Sequence, residues 1–321
     1  MADRSAVSVT KPVAAESVGP AAPGRDSAGR MARIATYASV AVALALVSVK
    51  AAAWFTTESV AVLSSLVDSM LDVLASVVTL VAVRKAQEPA DREHRFGHGK
   101  AEPLAALAQS AFIAGSAALL LFEAAHRFIQ PVTVERPEVG IAVIGFTIVV
   151  TLALVLFQRW VIRRSGSIAI TADSLHYKGD LLMNAAVIGA LILSGWMGWI
   201  YADPIFATAI AAYILINAWS IVQEALDMLM DRELPDDDRE RIYAIARAHP
   251  ETHRAHDLKT RRSGSMTFIQ MHLEMDPQIP LHRAHRIADE VEGLILDAYP
   301  DAEVIIHQDP EGMDEHHTRF R

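Results

Sequence analysis

Two stretches, Leu66-Val67-Asp68-Ser69-Met70-Leu71-Asp72 and Leu175-His176-Tyr177-Lys178-Gly179-Asp180, decide how this chain is read. Each places two ionisable side chains four residues apart inside a long apolar run. In a helix, residues i and i+4 share a face and lie about 6 Å apart along the axis. Three carboxylates and one imidazole are thereby set as two pairs, each on one helix face, at membrane depth. Such groups cost about 2.5–3.5 kcal/mol each on insertion scales, so an intramembrane pair is read as a functional site before it is read as structure. Three carboxylate oxygens and one imidazole nitrogen also make a four-ligand set suited to a divalent metal.

The surroundings of these pairs are membrane-like. Hydrophobic residues make up 52% of the chain against 21% charged, and mean hydropathy is positive. Six apolar runs reach the roughly 20 residues a bilayer requires. They cover about Ile34–Phe55, Val60–Val83, Ala101–Phe128, Val139–Ile162, Ile168–Met197 and Pro204–Met230. Trp54, Trp160, Trp196, Trp199 and Tyr201 cluster near the ends, as interfacial anchoring predicts. The connection between spans two and three carries Arg84, Lys85, Arg92, Arg95 and Lys100, and that between spans four and five carries Arg159, Arg163 and Arg164. The alternate connections carry only Arg136. The positive-inside rule therefore predicts that both termini are cytoplasmic.

No cysteine is present, which excludes disulfides, thiolate metal sites and thiol catalysis. The net charge of −9, with no broad basic patch, argues against nucleic acid as a partner. No Gly-rich nucleotide-binding loop is evident. No nucleophile–base constellation accompanies the His/Asp set, which argues against an enzyme.

Residues 1–30 are rich in Ala, Ser, Pro and Gly without periodicity and are expected to be a disordered tail. Residues 31–231 form the expected six-helix transmembrane domain, 232–310 a small cytoplasmic domain, and 311–321 a second disordered tail. In the cytoplasmic part, Glu233, Leu234, Pro235 and the acids Asp236, Asp237 and Asp238 signal a helix start. Alternating stretches at about His253–Arg262 and Met266–Met275, with Ser263-Gly264 as the turn, predict a hairpin. A helical stretch over Leu281–Tyr299 and a strand over Glu303–His307 complete an αββαβ order, an α+β domain with helices on one face of a short sheet.

Further candidate ligands stand outside the spans. Asp91, His94 and His98 fall within eight residues of the loop before Lys100, where ordinary polar loop residues are about as compatible with the spacing. Gly97 and Gly99 fit a tight turn there. His256, His272, His285, His307 and Asp309 fall on different strands and a helix. His316-His317 reads as incidental. Lys100 and Asp231 are candidates for a charge contact at the membrane surface, with solvated, unpaired residues as the alternative.

These motifs resemble the cation diffusion facilitators. Phe96-Gly97-His98-Gly99-Lys100-Ala101-Glu102, Ala172-Asp173-Ser174-Leu175-His176 and Val304-Ile305-Ile306-His307-Gln308-Asp309-Pro310 resemble the bacterial zinc/ferrous-iron efflux subgroup, over roughly residues 31–310. The resemblance implies a homodimer in the bacterial inner membrane, with a ferredoxin-like, metallochaperone-like cytoplasmic domain, whose protomers exchange metal for protons. It assigns Asp68, Asp72, His176 and Asp180 to the transport site and Asp91, His94 and His98 to a loop site. His256, His272, His285, His307 and Asp309 become a cytoplasmic binuclear site joining two C-terminal domains, and Lys100 and Asp231 an interlock between protomers. Divalent metal, most of all zinc, is the implied ligand, while oxygen-rich coordination also admits ferrous iron, cadmium, cobalt and manganese. A membrane-bound sensor and a passive cation channel would use the same ligands.

Overall fold

A computed structural model of the chain describes residues 23–57, 60–129, 138–197, 199 and 201–313. Six long helices come first: α1 (Pro23–Thr57), α2 (Val60–Ala86), α3 (Ala101–Ile129), α4 (Glu138–Ser165), α5 (Ile168–Met197) and α6 (Ala202–Leu229). The small α/β part follows as α7 (Asp236–Arg247), β1 (Arg254–Ser263), β2 (Met266–Met275), α8 (Leu281–Ala298) and β3 (Ala302–Pro310).

All helices but α5 among the first six are long and apolar enough to cross a membrane by length and composition. The fifth carries Asp173, Lys178 and Asp180, and its place in the bundle explains why it tolerates them. It packs against α2, α3, α4 and α6 and touches α1. Residues 172–177 are buried without interruption. A helix enclosed by its neighbours can keep polar groups where they find partners rather than lipid. Phe122, Leu119 and Ile216, each about 70% exposed, point outward as a bilayer-facing surface requires.

Close approach of the helices follows from small residues at the seams. On α6, Ala207, Ala211, Ala218 and Ala225 are buried, and Ala106, Ala117 and Ala124 are buried on α3, its principal neighbour. A side chain at Gly179 of α5 would meet Ile214 Cδ1 at 2.9 Å, so α5 and α6 also touch at a residue without Cβ. Polar ties cross the bundle as well. Gln158 Nε2 donates to Asp173 Oδ2 (2.8 Å) and to Ser39 Oγ (3.0 Å), and the Tyr177 hydroxyl lies 2.8 Å from Ser76 Oγ.

The expected span boundaries hold to within a few residues except at the start of α1. That helix begins at Pro23, inside the stretch expected to be a disordered tail. Its first turns are held by Gln87 Nε2 donating to the Gly29 carbonyl at 2.9 Å and by Ala32 and Ala35 packing with Val83. Residues 1–22 and 314–321, including His316-His317, lie outside the described residues.

In the α/β part, β2 is central, antiparallel to β1 and parallel to β3. The turn is Gly264-Ser265, one residue later than expected, with Gly264 at φ +61°. Ile242 and Ala246 of α7 and Ile287, Val291 and Ile295 of α8 join Ile269, Met271, Leu273 and Met275 of β2 in one core. Both helices therefore cover one sheet face, and period-two alternation sends Phe268, Gln270 and His272 to the other.

Candidate metal centres

Helix α2 presents Asp72 to α5, where His176 Nε2 lies 2.8 Å from Asp72 Oδ1 and 3.7 Å from Asp180 Oδ2. Asp180 is one turn beyond His176, so the i,i+4 spacing read from sequence puts both on the face that α2 meets. Asp72, His176 and Asp180 offer ligand atoms all within 4.8 Å of one another. The imidazole is 8% exposed and is walled by the Phe112 and Tyr177 rings, at 5.7 and 5.5 Å between centroids.

Asp68, the fourth expected ligand, is not in that group of three. It lies one turn earlier on α2 and its side chain is exposed, whereas α2 meets α5 at Asp72. A residue that sequence reasoning passed over stands beside the site instead. Lys50 is the sole charged residue of α1 between Ile34 and Thr57. Its Nζ donates to Ser69 Oγ at 2.7 Å and to the Ser65 carbonyl at 3.2 Å, and it interacts electrostatically with Asp72, Asp180 and Asp68. A lone cation in an apolar run was the available signal.

The loop between α2 and α3 brings together Asp91, His94 and His98 as expected. Asp91 Oδ1 accepts from the His94 N–H (2.6 Å) and the Glu93 N–H (2.9 Å), and Asp91 Oδ2 lies 3.4 Å from His98 Nε2. The His94 backbone donor, more than any other group, holds the Asp91 carboxyl below the usual carboxylate range. His98 is buried although the loop was expected to be exposed. Its ring lies 4.5 Å from that of His94, and the α/β part sits against the same loop. Phe96 meets Phe268 edge-on at 5.7 Å, and the Arg261 guanidinium lies 5.0 Å from the Phe96 ring and 4.3 Å from the Phe268 ring.

Gly97, at φ +76°, makes the expected turn. Gly99 serves closeness instead: a Cβ there would overlap the Ser263 carbonyl oxygen. Beside it, Lys100 Nζ reaches Asp231 Oδ1 at 2.9 Å, and Arg261 approaches the same oxygen at 3.3 Å. The resemblance implied that Lys100 and Asp231 meet between protomers. Within one chain, Lys100, Arg261 and Asp231 converge where α6 ends. Partial burial of Asp231 opposes ionisation, but hydrogen bonds from Lys100 and Arg261 outweigh it and leave the carboxyl below its ordinary range.

On the open sheet face, register sets His256 opposite His272 and His272 opposite His307, a row across three strands. His272 Nδ1 lies 2.7 Å from Asp309 Oδ2, His256 Nε2 3.6 Å from the same oxygen, and His307 Nε2 3.1 Å from Asp309 Oδ1. Asp309 is buried beneath the histidines. His256, His272 and Asp309 converge closely enough to hold a metal ion, and their nitrogen and oxygen donors suit zinc. His285 is not brought to this group. It lies on α8, across the sheet, exposed and 3.5 Å from Asp289. Two residues that sequence reasoning missed border the cluster. Glu274 Oε1 is 3.2 Å from His256 Nδ1, and Asp257 Oδ2, at a bulge with φ +46°, is 3.7 Å from His272 Nε2. A bulge of this kind has no signature in the alternation of the strand.

Residues 36–230 match the cation efflux transmembrane domain, and residues 234–311 match the cation efflux protein cytoplasmic domain. A relative from Klebsiella pneumoniae subsp. pneumoniae, named cation-efflux pump FieF, is 49% identical over 288 residues, covering 90% of this chain and 96% of the relative. A protein of the same name from Salmonella arizonae is 49% identical over 282 residues, covering 88% and 94%. Among solved structures, the metal-bound C-terminal domain of the CzcD transporter from Thermotoga maritima is 28% identical, with a TM-score of 0.24. It covers 26% of this chain and 100% of that domain.

Proposed function

Because the chain belongs to the cation efflux family, whose members are transporters rather than enzymes and move divalent metal, we propose that it exports divalent metal from the cytoplasm in exchange for protons. The observation that carries this reading is the position of His176 Nε2 between Asp72 and Asp180. An imidazole must be neutral to offer a nitrogen lone pair to a metal. Whether a proton or a dication occupies Nε2, the same two carboxylates face it, so the two cations compete for one atom.

In this reading, Asp72, His176 and Asp180, joined by Asp68 from the next turn of α2, take metal from the cytoplasmic side and release protons. Facing outward, protons displace the metal. Alternating access moves helices of the bundle around the fixed pair of α2 and α5. The Lys/Arg-rich connections support cytoplasmic termini in a bacterial inner membrane. The loop carrying Asp91, His94 and His98 lies on the same side as the α/β part, as that orientation requires. Zinc and ferrous iron are the preferred cargoes.

The cytoplasmic cluster would hold a resident divalent metal, most suitably zinc. Such an ion supplies cross-linking charge between strands. His256, His272, His307 and Asp309 present that charge on the uncovered sheet face, and His285 is available on α8. A homodimer joined through this domain, tightening as cytoplasmic metal rises, follows by mass action.

The test is reconstitution into liposomes containing a pH-sensitive dye, challenged with a panel of zinc, ferrous iron, cadmium, cobalt and manganese. Metal uptake coupled to proton movement, lost in Asp72→Ala, is the expected result. Downhill flux indifferent to the pH gradient would instead mark a channel, and metal binding without flux a sensor.

A further inference from the structure

We propose that Lys50 is a specificity-determining residue of the transport site: its ammonium is a fixed counter-charge that matches the site to a doubly charged ion and keeps that ion releasable. The inference rests on the transport reading above. A lysine inside an apolar span ordinarily extends along the helix to reach the interface. Lys50 does otherwise. It crosses to α2 and donates to Ser69 Oγ at 2.7 Å and to the Ser65 carbonyl at 3.2 Å. Ser65 and Ser69 are four residues apart, one turn of α2, and Ser69 is 1% exposed, next to Asp68 in the chain. The ammonium is thus pinned to the helix that carries two of the acids, and Asp72, Asp180 and Asp68 all act on it electrostatically.

Charge counting shows what this pinning does. Asp68, Asp72 and Asp180, when ionised, carry three negative charges, and a dication cancels two. The Lys50 ammonium cancels the third, with His176 neutral as metal ligation demands. A loaded site of zero net charge is the one least penalised in a low-dielectric bundle. A monovalent ion leaves the same site negative and a trivalent ion makes it positive, so the fixed charge favours a valence of two. Without the ammonium, the loaded site is negative and holds its dication more tightly than turnover needs.

The charge role separates from a mere tie between α1 and α2 by substitution. Lys50→Gln keeps an N–H donor for Ser65 and Ser69 but removes the charge, and Lys50→Arg keeps the charge. The readout is proton-coupled flux in proteoliposomes with zinc as probe, resolved into KM and kcat. For Lys50→Gln both should fall, KM by about tenfold, because a positive charge near an anionic site has gone. Lys50→Arg should stay near the parent. An unchanged or raised KM in Lys50→Gln, or a Lys50→Arg that behaves like Lys50→Gln, overturns the proposal. If Lys50→Gln does not fold, Ser69→Ala decides. It frees the ammonium towards the acids and should raise KM, and an unchanged KM overturns the proposal. Failure of the transport reading is distinct: the parent protein then shows no zinc-driven proton flux at all.

Discussion

Asp72 Oδ1 and His176 Nε2 stand 2.8 Å apart although 104 residues separate them, and this contact turns two helix-borne pairs into one site. Asp180 completes the group from the next turn of α5, while Asp68 stays one turn away on α2. The two acids of α2 are therefore unequal. Asp72→Ala should lower metal-dependent proton flux by roughly a hundredfold or more, at or beyond the upper end of the roughly 10–100-fold that loss of a mere outer-shell partner costs. Asp68→Ala should cost less, with KM raised more than kcat is lowered. Initial rates in proteoliposomes decide it, and equal losses would show that both acids act alike.

Gly99 should not tolerate a side chain. An added Cβ would overlap the Ser263 carbonyl, and a backbone oxygen cannot rotate away. Gly99→Ala should push the β1–β2 hairpin off the loop at a cost of about 1–3 kcal/mol. The expected signature is faster amide exchange at Met266–Phe268, as the Phe268 ring moves away from Phe96. Unchanged exchange would show that the loop and hairpin adjust without cost.

Asp231 lies below the ordinary carboxylate range because Lys100 and Arg261 donate to it against the opposing effect of partial burial. A depressed carboxyl stabilises above its unfolded value of about 3.9 and loses that contribution only as pH falls through the lower folded value. Between about pH 5 and 8 the contact is thus at full strength. Asp231→Asn should lower thermal stability by about 1 kcal/mol or less, the scale of exposed pairs, and by the same amount throughout that interval. Melting curves across the pH range check it, and a loss that varies with pH there would contradict the assignment.

In the α/β part, Asp309 is buried under His256, His272 and His307, so its partners matter more than its distance from solvent suggests. His272→Ala removes the 2.7 Å contact and should abolish metal-dependent compaction in small-angle scattering, while zinc-driven proton flux persists. His285→Ala, on the far face of the sheet, should leave the intrachain cluster intact. A scattering response to zinc that is identical in the His272→Ala protein and the parent would remove the regulatory role.

Much of this molecule is written in local pattern. Apolar run length, the i,i+4 spacing of Asp68/Asp72 and His176/Asp180, strand alternation around Gly264 and the acids at 236–238 each act over a turn or two of chain. Element type follows from them with little help from elsewhere, and α5 shows as much, its bounds Ile168–Met197 coinciding with those read from sequence. The loop triad Asp91, His94 and His98 was likewise legible, because eight residues of turn suffice to bring it together.

Convergence between distant elements is another matter, because it depends on how each helix is rotated about its axis and how closely its neighbours approach. That rotation keeps Asp68 apart from Asp72, His176 and Asp180, and it brings Lys50 from α1 to the same site. Sheet topology places His285 across from the other histidines, and the bulge at Asp257 brings a carboxylate no alternation predicts. Packing of the α/β part on the loop gives Gly99 its purpose. Sequence alone therefore determined the spans, the strands and the ligand types. Only the tertiary structure decided which of those ligands share a site, since side chains a hundred residues apart are placed by the packing of whole helices.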